Sequence, residues 1–443
     1  MPQAAPPRLR LCITADIFCD RGKEQEGLKN EILAHFGIFY LLRDLFTGKK
    51  KLRDCFSAGP IDITFLALVI TLLSIGVVMM FSASYVNAMY DKFAHYDPYY
   101  YLKNQLMFAL IGIVLMVAVS FIKADVFRDS AGLIMVISVL LLIYVLINPY
   151  EIPGKEEFKR WVYFPVIGSF QPSEIAKLAL ILFLAFSMER YHKKVEKSAL
   201  MIFPYVGVIL FICALVYLEN HVSGTLLILG IGVATVYFGG VKIPTWVYVV
   251  GIGAVVIGVL GFVLKSDSIL EGYASERIRI WLKLLKGEEL TSKEATGSGW
   301  QSLQSLYAIG SGGLFGLGFG NSKQKHMYLP EPQNDFVFAV VCEELGFIRA
   351  LIIILLFVLL VARGFIIGLR ARSRFEAMTA MGISFQVGLQ AALNIAVVTS
   401  TVPNTGISLP FFSYGGTSLV MLLIEMGIVL SISRNSERKK KDA

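Results

Sequence analysis

Ionisable side chains are sparse in this sequence, so their positions say most about its chemistry. Glu174 and Lys177 stand at i and i+3 in an otherwise apolar stretch, which puts both on one helix face. Asp335 opens another apolar run, and Glu343 and Glu344 follow two turns later. Glu219 and His221 sit between two further runs, and Glu425 falls inside the last one. Charge inside a membrane is expensive, so such groups line a cavity or pair with one another. A carboxylate in a low-dielectric setting holds a proton more tightly and can act as a general base. Arg160, Arg277, Arg279 and Lys325 lie in polar loops, and Arg can grip a phosphate with two parallel hydrogen bonds. Simpler roles compete with each of these. Glu174–Lys177 can be a packing pair, Asp335 a helix N-cap, and the loop cations solvated or lipid-headgroup contacts. Read on the residues alone, the cap is the better account of Asp335.

Other chemistries are excluded by what surrounds the candidates. The glycines of 310–320 permit tight turns or a close backbone approach, but no GK[ST] follows, so they form no P-loop. His326 stands alone in a polar loop. Cys12, Cys19, Cys55, Cys213 and Cys342 make no close pair or ligand cluster and imply no disulfide framework.

The elements that position these residues are membrane spans. The 443 residues are 56% hydrophobic and 17% charged, where soluble domains run nearer 25% charged. The mean hydropathy of +0.65 excludes both a soluble enzyme and a disordered chain. About 20 apolar residues cross a bilayer core. The pattern predicts ten spans, near Ile61–Ser82, Asn104–Phe121, Ala131–Asn148, Ser173–Met188, Leu200–Leu218, Gly224–Gly239, Trp246–Leu264, Phe336–Val361, Ala377–Ser400 and Thr417–Ile432. Basic clusters at 49–53, 190–197, 363–374 and 434–441 all fall on one side of such a ten-span chain. The positive-inside rule makes that side, and both termini, cytoplasmic. The net charge of +8 therefore marks cytoplasmic loops, with no nucleic-acid partner implied. Arg8 and Arg10 are followed by Asp16 and Asp20, which interrupt the apolar stretch a signal peptide needs. Leu28, Ile32, Phe36 and Phe39 are spaced for a surface-lying helix within a 1–58 extension, ahead of the membrane domain 59–433 and the basic tail 434–443.

The outer loops are uneven. Six tyrosines between Tyr85 and Tyr101 read as an interfacial belt. The loop from Lys265 to Asp335 is long, and long loops in compact proteins are commonly functional. Two classes stay open on these grounds. One is a transporter or flippase with an outward polar cavity. The other is an intramembrane enzyme acting on a lipid-linked substrate, favoured by the large polar loop and by the lack of an internal repeat of broken helices.

The loop motifs resemble a known family, the SEDS proteins (shape, elongation, division, sporulation), over residues 60–435. Arg160-Trp161, then Gln171-Pro172-Ser173-Glu174 and Lys177, resemble the family's RW…QPSE..K pattern. Glu219 with Ser223-Gly224-Thr225 is similar to EPxxGT, with Asn220 in place of the proline. Gln301 to Gly320 is similar to the YQ..QS..AIGSGG..G.G.G block, with Trp300 for the tyrosine. Leu329-Pro330-Glu331 and Asp335-Phe336 resemble LPE..TDF, with Asn334 for the threonine. Thr405-Gly406, Leu409-Pro410-Phe411 and Ser413 to Ser418 resemble TG..LPF.SYGGSS. Met79 to Ser84, reading MMFSAS, is similar to the FtsW and SpoVE branch.

The resemblance implies an all-α, ten-helix membrane protein that is a peptidoglycan glycosyltransferase. It would polymerise lipid II into β-1,4 glycan at the outer face of the bacterial plasma membrane, beside a class B penicillin-binding protein and other division or sporulation proteins. The alternative is a lipid II flippase. Asp335 matches the family's catalytic aspartate. Arg160, Glu174, Lys177, Arg277, Gln301, Gln304, Ser305, Lys325, Glu331, Ser413 and Tyr414 are the expected substrate contacts. No cofactor is required by the motifs. A divalent cation, Mg or Mn, bridging Asp335 or Glu331 to the phosphates is the one metal the chemistry invites, though no dedicated metal cage is visible.

Overall fold

The structure is a computed structural model that describes residues 56, 59–150, 160–164, 168–197, 199–241, 273–288, 290–297 and 299–436. Its elements are α1 (Ile63–Tyr90), α2 (Tyr100–Ser120), α3 (Ala124–Ile147), a hairpin of β1 (Val162–Phe164) and β2 (Gly168–Phe170), α4 (Pro172–Lys197), α5 (Phe203–Leu218) and α6 (Val222–Phe238). Then come α7 (Tyr273–Lys286), α8 (Ser292–Thr296), α9 (Trp300–Gly312), α10 (Val337–Leu369), α11 (Arg374–Val398) and α12 (Gly416–Ser436). The hairpin is antiparallel, pairing Val162 with Phe170 and Phe164 with Gly168.

Among the described residues, seven helices are long and apolar enough to cross a membrane: α1, α2, α3, the 200–218 segment containing α5, α10, α11 and α12. They coincide with seven of the ten expected spans. The expected fourth and sixth spans are also helical. Polar residues in α4 and the 17-residue length of α6 keep them outside that class. The expected span at 246–264, the surface helix in 24–46, the basic stretch at 49–53 and the chain beyond 436 lie outside the described residues.

The spans are apolar all round rather than one-sided, as helices in lipid are. Phe65, Leu72, Met80, Phe375 and Phe412 fill the interior. Leu110 and Val114 of α2 and Phe347, Leu351 and Leu355 of α10 face outward. The start of α1 meets the end of α12: Arg434 donates to the Gly59 carbonyl at 2.8 Å. Arg363 of α10 joins them through a 2.7 Å ion pair with Asp62, the side-chain cap of α1.

The eighth expected span is one element with a break. At Gly346, φ 79 and ψ 176 interrupt α10, a conformation open essentially to glycine alone. The break frees main-chain groups, which in lipid must find partners. The glycine-rich stretch after α9 supplies them. Leu317 and Gly318 N–H donate to the Glu343 and Glu344 carbonyls at 2.9 and 3.0 Å, and Phe347 N–H donates to Gly313 at 2.9 Å. The close backbone approach that those glycines permit is thus made, at this point, to α10.

Candidate active site

The loop joining α11 to α12 is a polar hub at one end of the helices. Asp335 is half-buried beside it, just ahead of α10. The N-cap of α10 is Phe336, which makes no side-chain cap bond, so Asp335 stands one residue ahead of the cap position its place in the sequence suggested. Its carboxylate instead packs on the hub: a Cβ on Gly406 would lie 3.2 Å from Asp335 Oδ2, and Gly406 has φ 73. Its main-chain carbonyl accepts from Asn394 Nδ2 at 2.8 Å, and Asn394 also donates to the Ile407 carbonyl at 2.6 Å. Two residues earlier, Gln333 accepts from Asn87 of α1 at 3.1 Å through its side chain and from Tyr414 N–H at 2.8 Å through its carbonyl.

Several expected contacts reach the same hub. Arg277 on α7 donates to the Asn404 carbonyl at 2.9 Å, and Asn404 donates to Gln301 Oε1 at 2.9 Å. Ser305 donates to the Val398 carbonyl at 2.7 Å, and Gln304 is buried beside it on α9. Trp281, one turn on from Arg277, donates to the Ser400 carbonyl at 3.1 Å and holds α7 across the loop. Tyr414 stacks edge-on against Tyr101 with centroids 4.8 Å apart, and burial raises its phenol above the ordinary range. Ser413 Oγ accepts from Leu409 N–H at 2.7 Å.

Others lie elsewhere. Glu174 and Lys177 form a 2.9 Å ion pair, and Lys177 also donates to Gln390 at 3.3 Å. They line a cavity of ≈ 20 Å³ with Gln386, Ser408, Ser413 and Glu425. That space suits a water or two and no sugar. Arg160 hydrogen-bonds the Asn220 carbonyl at the α5–α6 corner, where His221 faces Gln171 at 3.3 Å. Lys325 is buried against Glu344. Arg279 pairs with Glu294 at 3.1 Å. Glu331 Oε2 accepts from Asn334 at 3.0 Å. Among the described residues no three His, Cys, Asp or Glu side chains gather in a way that could hold a metal.

Sequence reasoning overlooked a polar ladder on α11. Gln386, Gln390 and Asn394 recur every fourth residue and so share one face. In turn they reach Glu425, Ser408 with Lys177, and Asp335. That spacing inside an apolar span was the available signal. Gly406 carried none beyond its place in a motif.

The fold and site define a polytopic helical membrane protein with a polar hub on one face. The family model for FtsW, RodA and SpoVE, described as cell cycle protein, matches residues 63–438, and the chain belongs to that family. It is 37% identical to the stage V sporulation protein E of Bacillus subtilis, over 85% of this chain and 97% of that one. It is 34% identical to the probable peptidoglycan glycosyltransferase FtsW of Trichlorobacter lovleyi, over 86% and 95%. A solved peptidoglycan synthase complex, titled for coordinating polymerization and crosslinking, contains a chain that matches with a TM-score of 0.65 at 26% identity, over 85% of this chain and 98% of that one. The rod shape determining protein RodA of Thermus thermophilus matches with a TM-score of 0.57 at 26% identity, over 84% and 97%.

Proposed function

We propose that this protein is a peptidoglycan glycosyltransferase that polymerises lipid II at the outer face of the plasma membrane, with both termini in the cytoplasm. Asp335 is the general base. It takes the proton from the GlcNAc 4-hydroxyl as that oxygen attacks the MurNAc anomeric carbon. The new O–C bond forms in line with the bond that breaks, so an α-linked donor gives a β-linked product. Undecaprenyl pyrophosphate leaves with the bonding electrons. The observation that carries this reading is the placement of the Asp335 carboxylate against Gly406, in a hub that also holds Arg277, Gln301 and Asn404. Arg277 brings positive charge to that loop for the departing pyrophosphate. Gln301, Gln304, Ser305 and Tyr414 border the sugar path. Arg160 serves the membrane-side approach of the lipid. A class B penicillin-binding protein is the partner that crosslinks the product.

Labelled lipid II, resolved on a gel after incubation with the purified protein and partner, tests this. The parent should yield glycan strands. Asp335→Asn, which keeps the shape and removes the base, should lose about 10²- to 10⁴-fold in rate. Normal polymerisation by that variant would sink the assignment. Lipid II crossing vesicle membranes without polymer would identify a flippase instead.

A further inference from the structure

Beneath the hub lies a second, buried set of charges that the proposed reaction does not use. Glu344 on α10 is wholly buried. It accepts from Lys325 Nζ at 2.8 Å, from Ser82 of α1 at 2.7 and 2.8 Å, and from Ser322 N–H at 3.3 Å. Lys325, 4% exposed, also donates to Ser82 Oγ at 3.1 Å. Its neighbour Glu343, also wholly buried, accepts from Ser322 Oγ at 2.5 Å, Lys323 N–H at 2.9 Å, Gln324 N–H at 3.3 Å and Ser311 Oγ at 3.3 Å. Two adjacent carboxylates therefore clasp the turn 322–325 and tie it to α1 and α10.

We infer that the Ser82–Glu344–Lys325 cluster, with Glu343 and Ser322, is a positioning device for the segment that carries Asp335, and that Lys325 acts there rather than on a phosphate. The inference rests on Asp335 being the base. Three observations support it. The segment from Lys325 to Asp335 contains no helix or strand, and Met327 (φ 67) and Glu331 (φ 46) take left-handed conformations. Such a stretch is placed by its anchors. Asn394, Asn87 and Tyr414 hold its far end, and the carboxylate clasp holds its near end. Second, the Lys325 ammonium is already engaged by Glu344 and Ser82 within the protein interior. Third, a buried ion pair is seldom more stable than apolar residues of similar volume. A cluster kept at that cost does something other than hold the fold, and here it borders the break in α10 and the loop ahead of the base.

The test uses the full-length protein with its partner and labelled lipid II. Single substitutions leave one buried charge bare, so the informative variant is the neutral double, Lys325→Met with Glu344→Gln. It should fold, elute and melt near the parent. Its kcat should fall by roughly 10²-fold, the scale of a displacement of about 1 Å at a reacting group. Its KM for lipid II should stay within about 3-fold of the parent, because no substrate contact is lost. Ser82→Ala, which removes one hydroxyl, should lower kcat by about 3- to 10-fold at unchanged KM and decides the matter if the double variant does not fold. A parent-like kcat in the folded double variant, or in Ser82→Ala, overturns the inference. So does a Lys325→Met variant with raised KM and intact kcat beside a silent Glu344→Gln, the pattern of a phosphate contact. Asp335→Asn run in parallel separates the two ideas. If it retains activity, the base reading fails whatever the cluster variants do. If it is inactive while they are normal, the positioning inference alone fails.

Discussion

Glu344 and Glu219 are both wholly buried carboxylates, yet their surroundings are opposite. Glu344 has an ammonium, a hydroxyl and a main-chain N–H on its oxygens. Glu219, at the corner between α5 and α6, has no hydrogen bond on either oxygen. Burial pushes its carboxyl up to about 8, and the nearby charge of Arg160 pulls it only part of the way back. His221, two residues on, is driven down to about 3 by burial and by the charges of Arg160 and Lys177. Burial alone therefore says little about what a carboxylate does. A satisfied one fixes geometry. An unsatisfied one holds a proton and makes stability depend on pH.

The largest break in this contrast comes from undoing the satisfied site. Glu344→Gln leaves the Lys325 ammonium buried without its counter-charge, and loss of one partner of a buried pair costs ~3–5 kcal/mol. Denaturation of the solubilised protein should show that loss. Adding Lys325→Met should recover most of it, because the two effects are coupled. Additive losses would mean that the pair is not the unit described.

A smaller effect is expected two residues along α10. Gly346→Ala places a Cβ 2.2 Å from the Gly316 nitrogen and 2.5 Å from the Phe315 carbonyl carbon, both backbone atoms that cannot swing aside. The conformation alone costs ~1–3 kcal/mol for a residue with a side chain. Polymerisation should fall with stability, since the glycine loop and the clasped turn lean on the same break. A stable, fully active Gly346→Ala would show that α10 can straighten without moving Asp335.

How much of this was legible beforehand follows from range. Span periodicity is local, so α1, α2, α3, α10, α11 and α12 were visible in apolar runs. Their ends were misplaced where polar residues continue a helix. α3 begins at Ala124 through Asp125 and Arg128, and α1 runs past Ser82 to Tyr90. The Glu174–Lys177 pair was legible because it is one turn long. The Lys325–Glu344 pair was not legible, because its partners lie 19 residues apart with an irregular stretch and the start of α10 between them. Asp335 was found by motif, but what touches it comes from α11 and from the loop after it, far along the chain. The Gln386–Gln390–Asn394 ladder was there to be read and is the one local signal for that contact.

An effect that appears only as pH rises sharpens the contrast from the unsatisfied side. The Glu219 carboxyl ordinarily titrates near 4.5 and is raised to about 8 in the folded chain. Between those values the folded state holds a proton that the unfolded state has released, so stability falls as pH rises across that window. Below about 4.5 both states are protonated and the penalty vanishes. Glu219→Gln keeps the shape of the protonated acid and cannot ionise. Its melting temperature should match the parent near pH 4 and exceed it near pH 8, and the parent's downward slope should flatten. Arg160→Met should extend that slope to higher pH, because the charge that partly offsets burial is gone. If parent and Glu219→Gln follow the same slope, the carboxylate has found a partner, and the distinction between the two buried acids collapses. If Glu219→Gln is less stable at every pH, the ionised form was stabilised after all, through Arg160.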